Sequence, residues 1–412
     1  MAGKQAAKEL LTVKNIRENN KTNILKQLVK GNDLTRNDLA RKSSISLMTV
    51  KHIVDDLVEN GIIEEHPSSA AVGRKPKALN IAKKYGNIVC INLTSAQSMS
   101  YIIYDLKRNA LAHDLLQFSS YESNYREKLE ELIGKIKDCL AQISTVTVGV
   151  GVSVPGAYYE KEDLTNYDLI PEFKEFHIRR FFQERFCVDN VVVVHDVVSA
   201  AKSEYEAKPD RDDSLFYLYC GFGVGGCFVL HGEAVAGENL LAGEVGKIQI
   251  EDPYGEGCRT LEEVVSIPGI LKKIHEITPD IEMKEVIYRY HFGEKEIVSI
   301  LDKALETVSR VLYNLVWLFN PTKFVVDSCC PDYAALIVDK SREYLQCLQK
   351  EDIYVTAKVE QTSYDEYYEM RGCFRLVLQK WMERLASEEK EEKPGQHGKR
   401  EADAFGRSDY RY

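Results

Sequence analysis

The first 64 positions place apolar residues at the three- and four-residue spacing of amphipathic helices. A first helix is predicted from Asn23 to Lys30, between the polar triplet Asn-Lys-Thr and Gly31. Its apolar face comprises Ile24, Leu25, Leu28 and Val29. A short second helix, RNDLARKS, follows Thr35, and Asp38 at its third position predicts a capping box with that threonine.

A third, longer helix is predicted from Leu47 to Asn60, because Ser46 is a strong N-cap residue and Gly61 favours helix termination. Its apolar stripe comprises Val50, Ile53, Val54, Leu57 and Val58. A helix, a short helix, a tight turn and a longer helix form the order of a helix-turn-helix motif. An ordinary three-helix bundle with one polar face is the alternative that this pattern leaves open.

Two short strand patterns follow, at Ile62–Glu65 and Ala78–Ile81, and the basic stretch between them has the outline of a wing. In such a head the third helix enters the major groove, and a basic arm can lie in the minor groove. Hydroxyl groups, a methyl-contacting side chain and cations suit base edges and phosphates. The predicted DNA-contacting residues are Arg36, Ser46, Met48, Thr49, Lys51, His52, Arg74 and Lys75. A basic linker without groove contacts is the alternative for residues 73–77.

From Gly86 onward the pattern changes to β-runs separated by helices. Strands are predicted at 88–93, 100–106, 146–154, 191–196, 214–230 and 323–328, and helices at 125–142, 199–207 and 296–319. This alternation favours an α/β fold of βαβ units, and the repeated strand set fits two lobes. The glycine loop Gly221–Gly226 lies between two β-runs, where a tight hairpin and a phosphate-binding loop are equally suitable uses.

A length of 412 residues predicts two or three domains. Charge is distributed unevenly along them. Residues 1–84 contain 16 lysines and arginines but only nine acidic residues, a net charge of about +7. Because the whole chain carries −10, the remainder carries about −17. A basic module on an acidic body is typical of nucleic-acid-binding proteins, since phosphate neutralisation supplies much of the affinity. A solvated basic face is the alternative.

The remaining composition indicates a cytoplasmic protein without a membrane partner. No apolar run approaches the roughly 18 residues that span a bilayer, and the N-terminus lacks the pattern of a secretory signal. Ten cysteines without a CxxC pair fit reduced thiols. We predict a head over residues 1–82 and a larger domain over 86–386. The charged residues 387–412 are nearly free of aliphatic side chains and are predicted to form a disordered tail.

Four segments of the larger domain occur in the order and spacing of the ROK family: VGVSVPG, HDVVSAAKSE, GFGVGG and GEVGKIQIEDPYGEGC. With its N-terminal head, the chain resembles the family's repressors from about Asn20 to Leu385. The resemblance implies a two-lobed, actin-like and ribonuclease-H-like ATPase-type α/β domain. It also implies a repressor of carbohydrate-metabolism genes that binds a double-stranded DNA operator as a homodimer or homotetramer.

Departures from the family pattern concern the sites for ATP and zinc. The stretch Ile91–Ser95 has neither the acid nor the glycines of the kinases' phosphate loop, Phe222 stands where threonine is usual, and Asp327-Ser328 replaces a Gly-Gly pair. We therefore expect no kinase activity, no catalytic residue and no cofactor. Lys247 replaces the zinc-binding histidine and Cys258 alone remains of three cysteines, so we expect no metal. A sugar kinase with an accessory DNA-binding head is the alternative.

The resemblance also implies an effector site for a sugar. Asn166, Asp196, Glu244 and Glu262 match family positions that contact sugar hydroxyls. Lys247 adds a cation, which favours an anionic ligand such as a sugar phosphate or sugar acid. The predicted effector site comprises Asn166, Asp196, Glu244, Lys247 and Glu262. In the alternative, Lys247 pairs with Glu244 or Glu262 in a site that has lost its ligand, and the chain is a ligand-independent DNA-binding dimer.

Overall fold

The computed structural model describes most of the chain in two compact units. The described residues are 13–31, 33–67, 77–82, 86–95, 98–118, 125–156, 158–165, 173, 175–207, 214–351, 356–362 and 368–387. Contacts divide the chain into Met1–Ala82 with Lys380–Tyr412, here called the head unit, and Lys83–Gln379, here called the body unit. The predicted tail lies outside the described residues except for Ser387.

The head unit contains the predicted three helices and two strands. They are α1 (Val13–Lys30), α2 (Arg36–Ser43), α3 (Leu47–Glu59), β1 (Ile63–Pro67) and β2 (Lys77–Ile81). The strands pair antiparallel, from Ile63 beside Ile81 to Pro67 beside Lys77. Fully buried apolar side chains from every helix and from β2 form the core, among them Ile24, Leu28, Leu39, Val50, Leu57 and Leu79. The helix-turn-helix with its wing strands is therefore confirmed.

The helix caps of the head agree with the sequence, whereas the start of α1 does not. Thr35 accepts a hydrogen bond from the backbone N–H of Asp38 and its own N–H donates to the Asp38 carboxylate, which is the predicted capping box. The prediction began the first helix at Asn23, but α1 begins at Val13. Residues 13–22 contain no glycine or proline to end a helix, and the buried Lys21 pairs with Asp56 of α3 at 3.2 Å.

The body unit is built on two five-stranded mixed sheets. The first has the order β5-β4-β3-β6-β9, with β3 (Asn87–Asn92), β4 (Ser98–Asp105), β5 (Ala110–Gln117), β6 (Thr147–Val154) and β9 (Val191–His195). The second has the order β12-β11-β10-β15-β16, with β10 (Leu215–Cys220), β11 (Val224–Leu230), β12 (Glu233–Ala234), β15 (Lys323–Asp327) and β16 (Lys358–Gln361). Two small hairpins are added, β7 (Tyr158–Tyr159) with β8 (Leu164–Thr165), and β13 (Gln249–Glu251) with β14 (Cys258–Thr260).

Both large sheets share one topology. In each, the first three strands form an antiparallel meander and the next two continue in parallel from the first strand. The helices are α4 (Tyr125–Ile143), α5 (Ile178–Phe186), α6 (Asp196–Ala207), α7 (Leu261–Val265), α8 (Ile267–Ile274), α9 (Met283–His291), α10 (Lys295–Phe319), α11 (Pro331–Glu351) and α12 (Tyr368–Ser387). The repeated topology confirms the two-lobed α/β prediction.

Packing is tight where helices cover the sheets. Val150, Val152 and Val154 of β6 belong to a core shared with α4 and α5. On the other face of β6, a Cβ on Gly151 would lie 2.4 Å from Sγ of Cys373 in α12.

The prediction placed the chain up to residue 386 in the larger domain, but α12 contributes its residues from Lys380 onward to the head unit, where Trp381, Met382 and Leu385 are buried. All ten cysteines are free, and none of the helices among the described residues could cross a membrane.

Candidate DNA-binding surface and effector site

The first turn of α3 is fixed by its own N-cap. The Ser46 hydroxyl accepts a hydrogen bond of 3.2 Å from the backbone N–H of Thr49, and the two hydroxyl groups lie 2.8 Å apart. This capping leaves the N-terminus of α3 well ordered, and Ser46 is exposed at its start. The structure thus brings both predicted hydroxyl residues together at the end of the helix that would meet DNA.

The first two turns of α3 expose two large apolar side chains and two basic or titratable ones. Met48 is 67% exposed, and both Lys51 and His52 are exposed. Leu47 is 52% exposed, although the sequence analysis did not single it out. Because Leu47 lies three residues before Val50, helical spacing would place it in the buried stripe of α3. It is the first residue after the N-cap, however, and there the helix does not yet pack against the core. Exposed apolar side chains here suit contact with thymine methyl groups.

Arg36 has a structural role that the sequence did not indicate. Its guanidinium pairs with Asp55 of α3 at 2.7 Å and with Glu65 of β1 at 2.6 Å. Partial burial lowers the pKa of Arg36, but the hydrogen bonds to both carboxylates outweigh it and raise that pKa. The predicted phosphate contact of Arg36 stays a prediction, since it would share the guanidinium with these pairs. Arg74 and Lys75, at the wing tip, lie outside the described residues.

In the body unit, His195 and Asp196 stand where β9 ends and α6 begins. The imidazole Nε2 lies 3.1 Å from Oδ1 of Asp196, which also accepts the backbone N–H of Val197 at 2.7 Å. Burial alone lowers the pKa of His195, but the hydrogen bond to Asp196 and the charges of Asp196 and Glu244 outweigh it, so the pKa is raised. Asp196 is therefore in contact with His195, which was absent from the predicted site, and the charge of Glu244 also acts on that imidazole. Asn166 lies outside the described residues.

The raised pKa of His195 predicts a pH-dependent stability. Because the folded-state pKa exceeds the ordinary value of 6.5, the stabilisation is complete below pH 6.5 and is lost as the pH rises through the folded-state pKa. Urea unfolding at a series of pH values above 6.5 should show a falling free energy of unfolding, and His195→Gln should remove that part of the decline. The control is His291→Gln, at an exposed position of α9. An unchanged pH profile in His195→Gln would contradict the assignment.

The glycine loop is a tight hairpin, one of the two uses that the sequence left open. It joins β10 to β11, and the N–H of Gly221 donates to the carbonyl of Gly223 at 2.9 Å. The backbone N–H of Val224, the residue after Gly223, donates to Oε2 of Glu262 at 2.9 Å. A carboxylate of the chain itself therefore binds a backbone donor at the base of this loop, and the Phe222 ring at its tip is exposed.

Glu244 is the N-cap and Lys247 the last residue of a single turn of 3-10 helix, Val245–Lys247, which packs against β11. Gly243 just before it has a φ of +100° and accepts the N–H of Gly226 at 2.8 Å. The β13–β14 hairpin then carries the chain from this turn to Glu262, and the N–H of Leu261 donates to the carbonyl of Ile248 at 2.8 Å. Lys247 and Glu262 thus lie at the open end of one hairpin.

Lys247 is exposed and does not form the ion pair that the alternative hypothesis requires. Within the described part of the chain, neither Glu244 nor Glu262 approaches its ammonium group to within 4.0 Å. The backbone N–H of Lys247 donates to the carbonyl of Glu244 at 3.1 Å. An exposed cation without an ion-pair partner among the described residues is suited to an anionic group of a ligand.

An ion pair closes the loop between β13 and β14. Arg259 pairs through Nε with Oδ2 of Asp252 at 2.5 Å, and the other Asp252 oxygen accepts the N–H of Tyr254 at 2.9 Å. The Tyr254 hydroxyl donates to the carbonyl of Ile300 at 3.0 Å, which anchors the loop to α10. Among the described residues, no group of three His, Cys, Asp or Glu side chains could hold a metal ion. This ion pair was not predicted, because only metal-binding residues were expected in the loop.

Asp327, which replaces a family glycine, is buried at the end of β15. The Tyr217 hydroxyl donates to Oδ2 of Asp327, and the N–H of Ser328 donates to Oδ1 at 2.7 Å. Burial raises the pKa of Asp327, as do the charges of Glu204 and Asp196, against the lowering effect of both hydrogen bonds. A position filled by a buried carboxyl group of this kind is poorly suited to the polyphosphate of a nucleotide.

Comparison with known proteins defines the class. The profile described as the ROK family matches residues 89–380, and one for a winged helix-turn-helix DNA-binding domain matches residues 17–64. The chain belongs to the ROK family.

Relatives within the family include both regulators and kinases. The xylose repressor of Staphylococcus xylosus is 22% identical over 369 residues, covering 84% of this chain and 92% of that protein. A crystal structure of a ROK family transcriptional regulator, a homologue of the Escherichia coli MLC protein, has a TM-score of 0.72 at 17% identity and covers 90% of this chain and 99% of its own. The ROK hexokinase from Thermus thermophilus has a TM-score of 0.58 at 20% identity, covering 71% and 97%. The fold is therefore shared with a transcriptional regulator and with a hexokinase, and it does not distinguish between them. The absence of catalytic activity stays a prediction.

Proposed function

We propose that this protein is a transcriptional repressor that binds an operator through its head unit and a sugar-like effector through its body unit. The observation that carries the proposal is the exposed N-terminal part of α3, which presents Met48, Lys51 and His52 on a capped helix of a winged helix-turn-helix. The protein acts as a homodimer or homotetramer in the cytoplasm. The name of the xylose repressor supports a carbohydrate-related role.

The proposed effector site consists of Asn166, Asp196, Glu244, Lys247 and Glu262. Asp196 and Glu244 supply acceptors for hydroxyl groups around His195, and Lys247 supplies a cation for an anionic group. We infer that a sugar phosphate or sugar acid binds there without being phosphorylated. The internal hydrogen bond from Val224 to Glu262 supports this, because it occupies a donor of the glycine loop. Release from DNA follows only if the effector binds the free protein more tightly than the DNA-bound protein.

The experiment that tests the proposal begins with selection of genomic fragments by the purified full-length protein. Bound fragments should contain two half-sites whose centres are about one helical turn of DNA apart. Xylose, glucose, N-acetylglucosamine and their phosphates are then tested for release of the fragment in an electrophoretic mobility assay. Recovery of no specific fragment would reject the DNA-binding proposal, and hexose-dependent consumption of ATP would support the kinase alternative instead.

Lys247→Gln tests the ligand class. We expect the substitution to weaken binding of an anionic effector by about tenfold, since a charge-assisted hydrogen bond is lost, and to leave binding of the neutral sugar nearly unchanged. Titration calorimetry with each sugar and its phosphate measures both affinities. Lys284→Gln, at an exposed position of α9, is the matched control. Tighter binding of the neutral sugar than of its phosphate by the unmodified protein would refute the anionic class.

A further inference from the structure

A row of alternating charges crosses the head unit from α3 to the start of β2. Arg36, the first residue of α2, pairs with Asp55 of α3 at 2.7 Å and with Oε1 of Glu65 in β1 at 2.6 Å. The other carboxylate oxygen of Glu65, Oε2, lies 2.5 Å from Nζ of Lys77, the first residue of β2. Glu65 is therefore the member of this charge row that joins the helix-turn-helix to the base of the wing.

The strand pairing explains how Glu65 reaches both cations. Glu65 lies opposite Leu79 in the β1–β2 pair, so the two side chains are on the same face of the ribbon, and Leu79 is fully buried in the core. A carboxylate on this inward face ends at the edge of the core, beside the first turn of α2. Its side chain is 15% exposed, and the other side chains of the charge row are 26% exposed for Arg36, 50% for Asp55 and 66% for Lys77.

The two pairs keep the Glu65 carboxylate ionised. The hydrogen bond from Lys77 is the main cause that holds the pKa of Glu65 below its usual range, and the pair with Arg36 lowers that pKa further. Without the carboxylate, the two cations lose the acceptor that they share and repel one another. Because Lys77 is the last residue of the basic segment 73–77, this repulsion would displace the base of the wing from α2.

The position of the wing base matters because two elements of the head are expected to meet one operator. In a winged helix-turn-helix the third helix enters the major groove, and a basic arm can lie in the minor groove. Both elements contribute fully to binding only if their spacing in the free protein matches that of the two grooves, since reorienting one of them costs binding energy. The ion pairs of Glu65 fix this spacing before DNA is bound.

We propose that Glu65 is a positioning residue for operator recognition, which holds the base of the wing against α2 through Arg36 and Lys77. The inference rests on the proposed DNA-binding function. Glu65 itself makes no contact with DNA, and its negative charge repels the phosphate backbone. Removing the charge therefore has two opposite effects: the loss of positioning weakens binding to the operator, whereas the loss of repulsion strengthens binding to any DNA.

Glu65→Gln tests the positioning role, because it removes the charge and keeps the shape of the side chain. Fluorescence anisotropy of the full-length protein measures affinity for the operator and for a fragment of equal length with a scrambled sequence. We expect affinity for the operator to fall about tenfold, since charge-assisted hydrogen bonds are lost. Affinity for the scrambled fragment should stay equal or rise. A variant that had merely become less stable, but was folded at the assay temperature, would change neither affinity.

Glu64→Gln is the matched control. Glu64 precedes Glu65 in β1, and its carboxylate, on a side chain that is 33% exposed, lies 3.2 Å from the imidazole of His66. The same charge is removed, so the ratio of operator affinity to scrambled-fragment affinity should not fall. Circular dichroism and thermal unfolding check that each variant is folded.

Lys77→Gln is a second variant, at a more exposed position where the core is not disturbed. If Lys77 serves to hold the wing, its loss lowers affinity for the operator more than affinity for the scrambled fragment. If Lys77 is only a phosphate contact, both affinities fall equally, because such contacts do not depend on sequence.

The outcomes separate this inference from the proposed function. An unchanged affinity ratio in Glu65→Gln, an equal fall of that ratio in Glu64→Gln, or equal losses on both fragments in Lys77→Gln would each overturn the positioning role. In all three cases an unmodified protein that binds its operator leaves the proposed function standing. An unmodified protein that selects no specific fragment would refute the proposed function and the positioning role together.

Discussion

Lys51→Glu is expected to lower affinity for the operator by about two orders of magnitude at low salt. Lys51 is exposed on the second turn of α3, directly after the capped first turn, and bears no ion pair among the described residues. Charge reversal at this position replaces attraction to a phosphate by repulsion, and such contacts supply much of DNA affinity. The dependence of the logarithm of affinity on the logarithm of salt concentration should fall in slope by about one or more.

Fluorescence anisotropy with a labelled operator at several salt concentrations measures both effects. The matched control is Lys161→Glu, the same charge reversal at an exposed lysine of the body unit, which should change neither affinity nor salt slope appreciably. Equal losses in the two variants would mean that net charge, rather than the surface of α3, governs binding. No loss in Lys51→Glu would remove the first turns of α3 from the DNA interface.

Gly243→Ala is expected to destabilise the body unit by about 3 kcal/mol. Gly243 combines a φ of +100° with a close contact, since a Cβ there would lie 2.1 Å from the carbonyl oxygen of Gly226. Left-handed strain and overpacking each cost on the order of 1–3 kcal/mol. Because Glu244 follows directly, we also expect effector affinity to fall.

Urea unfolding measures this loss, and Gly257→Ala is its control. Gly257 has nearly the same φ, +95°, but nothing lies within 4 Å of its Cβ position. The control should therefore lose only the conformational part, about 1 kcal/mol. If both variants lose the same stability, the close contact with Gly226 is not what fixes the turn before Glu244.

Features that depend on nearby residues were predictable from the sequence. The capping box of Thr35 and Asp38 and the N-cap at Ser46 involve residues three positions apart, and both are present. The tight β10–β11 hairpin was one of two stated uses of its glycines. The early start of α1 was not predicted, because the pair that holds it, Lys21 with Asp56, joins residues 35 positions apart.

The same distinction applies to the candidate sites. Family resemblance identified Asp196, which the structure places 3.1 Å from His195, and Glu244, whose charge also acts on that imidazole. Resemblance could not indicate that Arg36 is held by Asp55 and Glu65, since that contact depends on how α2, α3 and β1 pack. Leu47 was missed for a related reason: helical spacing describes a complete turn, and Leu47 lies where the helix begins.

Because Val224 donates to Glu262, a carboxylate of the same chain competes with any free anion for this backbone N–H of the glycine loop. A carboxylate attached to the same chain has an effective concentration set by its tether, in the millimolar range or above for short connections. Any free phosphate that approaches the Val224 N–H must displace an anion that cannot diffuse away. Binding of a nucleotide phosphate at this position would thus be disfavoured.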